Sequence, residues 1–184
     1  AAAFDRTSEF PRDLIKKAWE LGLMNELIPQ ECGGTGLGMF DSCLITEELS
    51  WGCSGVTTSI MVNNLGLLPI MVAGTADQKR KWLEPFTREF RISAFCLTEP
   101  NSGSDVGGMQ LQVRRSNGDY ILNGTKRFIT NGGVADLYTT FGTLDRSQHH
   151  RGIAAFVVDA HSAGIRVGKK EDKMGQRASN TTEV

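Results

Sequence analysis

Arg91–Gly108 reads RISAFCLTEPNSGSDVGG, and its two halves follow different rules. Arg91–Thr98 is rich in β-branched and aromatic residues and predicts a strand. From Glu99-Pro100 onward the composition turns to Asn, Ser, Gly and Asp. Proline fixes φ, glycine admits positive φ, and short polar side chains bond to nearby backbone, so this half reads as a loop. A rigid strand feeding a polar loop with free N–H groups and hydroxyls suits a ligand rich in oxygen and nitrogen. Loop hydroxyls alone are a weak signal for one. The stretch also divides the chain, with helical patterns before it and strand patterns after it.

Upstream, Pro11 suits a first helical position and Gly22 a stop. Between them Leu14, Ile15, Ala18 and Leu21 form a stripe of helical period. Cys32–Gly38 is glycine-rich, but its spacing is neither G-x-G-x-x-G nor G-x-x-x-x-G-K, and no strand precedes it. It therefore reads as a connection between helices. Phe40–Leu49 repeats apolar residues as a helix would. Ser54–Ala73 is apolar or small apart from Asn63-Asn64, which predicts a buried helix. Met61, Val62 and Leu65 on it either line a cavity or pack the core. Gly74 is expected as a helix C-cap, and Thr75–Gln78 follows the capping-box pattern of a further helix that Pro85 should end or kink.

Downstream the period becomes two. Met109, Leu111 and Val113 alternate with Gln110, Gln112 and Arg114. Asn117-Gly118 is a hairpin turn, and Asn123-Gly124 is a second turn. Lys126–Thr130, Leu137–Leu144, Ile153–Val158 and Gly164–Gly168 complete a series of short strands. The pattern predicts an α+β chain: an all-α helical domain over residues 1–90, then an antiparallel β-sandwich or barrel over residues 91–184.

The chain of 184 residues balances 20 basic against 21 acidic residues for a net charge of −1. No Lys/Arg stripe points to nucleic acid. No wholly apolar run reaches the roughly 20 residues of a membrane span. Cys32, Cys43, Cys53 and Cys96 include no C-x-x-C pair, which argues against zinc and fits a reducing compartment. The sequence begins without Met and stops abruptly at Val184, and both ends read as cut.

No G-x-S-x-G elbow, carboxylate couple or convincing catalytic base emerges. A binding surface does. Thr98, Ser102 and Ser104 bring hydroxyls to one loop, and Thr130 ends a second strand before Asn131-Gly132-Gly133. Phe95 and Phe128 precede the two threonines on their strands. Together they would wall a planar heteroaromatic ring, with hydroxyls and N–H groups at its edge. The alternative is that both phenylalanines are core and both threonines merely end strands.

AFCLTEPNSGSD at Ala94–Asp105, NGTKRFITNGG at Asn123–Gly133 and GIRVGKKEDKMGQRASNT at Gly164–Thr181 resemble the acyl-CoA dehydrogenases, most of all the medium-chain type. Ala18–Gly38 and Glu47–Cys53 resemble the helical domain of that family. The resemblance implies FAD as cofactor. It places Phe95, Cys96, Leu97 and Thr98 along the ring, Gly103 and Ser104 on the binding loop, and Phe128, Ile129 and Thr130 on the second strand, with Thr130 near flavin N5. Ser104 would also meet the pantetheine of the acyl-CoA substrate. The family usually carries Trp where this chain has Phe128. Met61 would lie at the acyl pocket, and Arg146 and Arg151 on a loop near the CoA end.

The implied reaction is α,β-dehydrogenation of acyl-CoA thioesters to 2-enoyl-CoA, as in fatty-acid β-oxidation. Electron-transfer flavoprotein would be the acceptor and a homotetramer the assembly. The base in the family is a Glu that no residue here matches, so a third, helical domain beyond Val184 is expected to supply it, and this chain alone should be inactive. A flavin-dependent oxidase relative and a non-catalytic binding module of the same fold remain alternatives. The expected compartment is the cytoplasm, or the matrix if the source has mitochondria.

Overall fold

The computed structural model describes every residue from Ala1 to Val184. Four helices come first: α1 (Ala2–Thr7), α2 (Arg12–Glu20), α3 (Met39–Ala73) and α4 (Ala76–Arg88). Seven strands follow: β1 (Ser93–Cys96), β2 (Gln112–Ser116), β3 (Asp119–Asn123), β4 (Ile129–Thr130), β5 (Leu137–Thr143), β6 (Ile153–Asp159) and β7 (Thr181–Thr182). The helices-then-strands order is the one expected.

The α3 element joins the two helices read at Phe40–Leu49 and Ser54–Ala73. Its backbone breaks at Cys53, where φ −170° and ψ 109° are extended. By length and composition the helix could cross a membrane, but half of its apolar span is buried inside the protein. Its burial is one-sided. Val56, Ile60, Leu67 and Ile70 are buried, whereas Leu65, Leu68 and Val72 are exposed. The stripe on α2 is likewise split: Ile15 and Ala18 are buried, and Leu14 and Leu21 are open.

Thr75 and Gln78 form the expected capping box, with Gln78 N–H donating to Thr75 Oγ1 and Thr75 N–H to Gln78 Oε1. Gly74 ends α3 in an extended conformation, φ −71° and ψ 144°, and not as a left-handed cap. Pro85 does not end α4, which runs on to Arg88. A proline ring removes one N–H donor, and the Pro85 carbonyl still accepts from Glu89 N–H, so the last turn survives.

The main sheet corrects the antiparallel expectation in its pairing. β1 and β2 both run parallel to β5, while β2–β3 and β5–β6 are antiparallel. β6 pairs along the whole of β5, from Leu137 to Thr143. The opposite edge of β5 is therefore shared: β1 takes Leu137–Thr140, and β2 rejoins it at Thr143. The chain leaves this edge after Cys96 and returns to it at Gln112. Asn117 (φ 51°) and Gly118 (φ 91°) make the β2–β3 hairpin turn, both in the left-handed region it needs.

Gly164–Gly168 is not a strand. The chain there runs beside the residue that follows β7, with Gly168 N–H donating to Glu183 O. β7 itself pairs with β4 in a separate two-stranded ribbon. That ribbon packs on one face of the main sheet, where Ile129 joins Ala94, Cys96 and Tyr138. The helices cover the other face through Leu67, Ile70, Leu83 and Phe86 against Leu137. Gly66 brings α3 down onto β1, because a Cβ there would lie 2.5 Å from Ser93 Oγ.

A buried polar junction ties the two halves. Asn63 Oδ1 accepts from Ser93 N–H at 2.6 Å, and its amide donates to Asn25 Oδ1 and the Arg91 carbonyl. Asn131 donates to the carbonyls of Ser59 and Ser93. Farther along, Arg177 grips Asp5 through its main-chain N–H and its guanidinium, closing the last loop over α1.

Candidate functional site

The two segments singled out in the sequence lie side by side. Arg127 N–H donates to Thr98 O at 2.8 Å, joining the end of the β1 stretch to the approach to β4. Strand alternation then sorts the nine candidate residues. Phe95 shares its sheet face with Ser93 and is half-buried, with its ring 5.0 Å from that of Phe141. Leu97, Thr98 and Thr130 are half-buried as well. Cys96 and Ile129 point the other way, at 1% and 2% exposure, into the cluster that seats the ribbon on the sheet. Their side chains therefore do not reach the wall, and only their backbone could serve a ligand there. Burial pushes the Cys96 thiol up to about 12, against a hydrogen bond with Thr140 and the nearby Lys126 charge.

Phe128 is the unusual member. It has φ 58°, a left-handed conformation that bulky L-residues avoid, and the residue is 57% exposed. This turn also explains why the expected Lys126–Thr130 strand is reduced to two residues. The Arg127 guanidinium sits 4.8 Å over the ring centroid, a cation–π arrangement. Arg127 Nε lies 3.5 Å from Glu183 and 3.9 Å from Glu171. Strained backbone clusters at functional sites, and here it aims an aromatic outward beside the Thr98 strand end.

The polar loop is built from its own residues. Glu99 and Ser102 exchange main-chain hydrogen bonds at 2.8 and 3.3 Å. Ser102 Oγ donates to Asp105 O at 2.7 Å, and Asp105 Oδ1 accepts from Gly108 N–H. Ser102 is thus scaffold, contrary to its reading as a ligand hydroxyl. Gly103 and Ser104 stand exposed at the tip. Arg146 braces the return of the loop by donating to Gln110 O at 2.6 Å, which commits part of its guanidinium, while Arg151 stays exposed.

Beneath the loop lies a pair that the sequence did not announce. Lys126 and Glu99 meet at 2.8 Å with side chains only 2% and 3% exposed. Lys126 Nζ also donates to Leu97 O at 2.9 Å. The Glu99 carboxylate accepts from Gln110 N–H at 2.6 Å and Leu111 N–H at 2.9 Å. Burial pushes the Lys126 ammonium below its ordinary range, and the hydrogen bond and charge of Glu99 oppose this. Both Glu99 oxygens are engaged, so this carboxylate is structural.

The Arg127–Thr98 bond brings the Leu97–Thr98 strand end beside the exposed Phe128 and the ribbon, while Phe95 lies on the sheet face that α3 covers, opposite the ribbon. Family models for the acyl-CoA dehydrogenase N-terminal domain and middle domain match residues 1–89 and 94–184. The chain belongs to the acyl-CoA dehydrogenase family. It is 40% identical over its full length to a probable medium-chain specific acyl-CoA dehydrogenase of Caenorhabditis briggsae, covering 46% of that protein. The butyryl-CoA dehydrogenase structure from Megasphaera elsdenii aligns with all of this chain and 49% of its own, with TM-score 0.93 and 37% identity. A glutaryl-CoA dehydrogenase of Mycobacterium smegmatis, solved in complex with FADH2, aligns with 97% of this chain and 45% of its own, with TM-score 0.86 and 32% identity. The chain thus spans about half the length of these acyl-CoA dehydrogenases.

Proposed function

We propose that this chain supplies the flavin-holding half of an enzyme that oxidises acyl-CoA thioesters to 2-enoyl-CoA. The observation that carries the reading is Phe128, an exposed aromatic held at φ 58° beside the Thr98 strand end. The residues suit FAD. Phe128 offers apolar surface for one face of a flat ring, and the family resemblance adds Phe95 and Leu97 from the β1 side. The Thr98 and Thr130 hydroxyls and the strand-end backbone offer donors and acceptors for its polar rim. Gly103 and Ser104, exposed at the loop tip, would meet the region where flavin and the pantetheine of the substrate approach each other.

Bound FAD would supply the hydride acceptor for the β-carbon of the thioester. The chain's own part is to bind, orient and dry that site. It does not provide the proton acceptor at the α-carbon from Glu99, whose carboxylate is saturated by Gln110, Leu111 and Lys126. The family supports a glutamate from outside these residues. It also supports electron-transfer flavoprotein as acceptor and a homotetrameric assembly. Met61 on α3, half-buried with Thr46 Oγ1 donating to its sulfur at 3.0 Å, is proposed to help set acyl-chain depth.

The test is the full-length protein titrated with FAD. Binding should give a perturbed visible flavin band, and anaerobic addition of acyl-CoA should bleach it. A protein that takes up no flavin would refute the reading.

A further inference from the structure

We infer that Glu99 and Lys126 are positioning residues for the flavin, holding the Phe95–Thr98 and Phe128–Thr130 walls at one fixed spacing. This rests on the flavin reading above. The pair touches every segment that the site is made from. Lys126 Nζ reaches back to Leu97 O, on the first wall. The Glu99 carboxylate holds Gln110 N–H and Leu111 N–H, where the loop bearing Gly103 and Ser104 returns to the sheet. Lys126 itself begins the second wall, and the next main-chain N–H, that of Arg127, donates to Thr98 O. Main-chain bonds from Lys126 to Val184 in both directions fix the far side.

A buried ion pair is a poor way to gain stability, because apolar side chains of similar volume often do as well. What apolar side chains cannot do is satisfy Leu97 O, Gln110 N–H and Leu111 N–H from one point. These contacts are directional, so the pair specifies where the segments lie. The exposed ring of Phe128 has little packing of its own to place it. Its position follows from the backbone anchored two residues earlier, at Lys126.

The experiment uses the full-length protein, stripped of flavin and titrated with FAD. Its variants are Lys126→Met, Glu99→Gln and a control, Phe86→Leu, in the helical half of the core. Both pair variants should bind FAD at least about tenfold more weakly, as misplacing positioned groups does, and lose the vibronic shoulders of the bound flavin band. The control should lose thermal stability yet keep the wild-type Kd and spectrum. Wild-type Kd and spectrum in the pair variants would overturn the inference, as would equal weakening in the control, which would make the effect one of general destabilisation. If Lys126→Met does not fold, Glu99→Gln decides by the same readout. Failure of the wild-type protein itself to bind FAD overturns the flavin reading instead, so the two failures are told apart.

Discussion

Phe128 and Cys96 show how single residues divide between function and fold. Phe128 is 57% exposed and sits at φ 58°, so the folded chain gains little from its burial and bears a strained backbone. Phe128→Asn should therefore shift unfolding free energy by no more than about 1 kcal/mol, because Asn tolerates the left-handed region and offsets the lost Arg127 contact. FAD affinity should fall in the same variant. A large loss of stability by chemical denaturation would show Phe128 to be core. Cys96 is the converse case. Burial raises its thiol from 9.0 to about 12, and burial raises the Tyr138 phenol from 10.0 to about 12. Below pH 9 the thiol is protonated folded or unfolded, and its contribution is complete. As pH rises further, the unfolded thiol ionises first, so stability is lost until the folded group also titrates. The full loss from Cys96 is of order 4 kcal/mol. Thermal melts between about pH 9 and pH 11 should show Tm falling, and Cys96→Ala should flatten that fall. The sequence marked Phe95 and Phe128 as aromatics ahead of two threonines, but not that Phe95 lies on the sheet face opposite the ribbon that follows Phe128. It could not show that Cys96 and Ile129 turn away, because that depends on which strand face the ribbon covers.

At the scale of elements, α3 and β1 are held in contact by a missing side chain. A Cβ at Gly66 would come within 2.5 Å of Ser93 Oγ and 3.2 Å of Ala94 N. Gly66→Ala should destabilise by about 1–3 kcal/mol in denaturant unfolding, since helix and strand must part to admit the methyl. The helix gain of Ala over Gly, about 1 kcal/mol, would otherwise predict the opposite sign. Local chemistry revealed most elements: the Thr75–Gln78 box, the Asn117-Gly118 turn and the alternation that buries Met109, Leu111 and Val113. Non-local chemistry hid others. β7 exists only because β4 lies beside it, and two threonines near a chain end carry no period to read. Pro85 does not end α4 because the turn after it retains its carbonyl–amide bond, Glu89 N–H to Pro85 O.

Across the whole molecule, helices and strands meet at Asn63, which is 0% exposed and bonds Asn25, Arg91 and Ser93 together. Asn63→Ala would leave the Ser93 N–H and its neighbours buried without partners, a cost of about 2–4 kcal/mol. Because those bonds join the two halves, we expect the unfolding transition to broaden or split, seen by comparing tryptophan signals from Trp19, Trp51 and Trp82 in the helical half with near-ultraviolet tyrosine signals from Tyr120 and Tyr138 in the β half. Coincident, wild-type-like transitions would show that apolar packing alone couples them. The Asn63-Asn64 pair was visible in the sequence as the polar break in an apolar helix, but its partners, from Asn25 to Ser93, were not, being set by tertiary contact. The parallel pairing was hidden for the same reason, since two strands far apart in sequence share one edge of β5. The chain steps off the sheet after Cys96, is clamped at both feet by Glu99, and steps back at Gln112. The loop between the feet, which carries Gly103 and Ser104, thus has both ends tied to one carboxylate, as a hoop is closed by a single clasp.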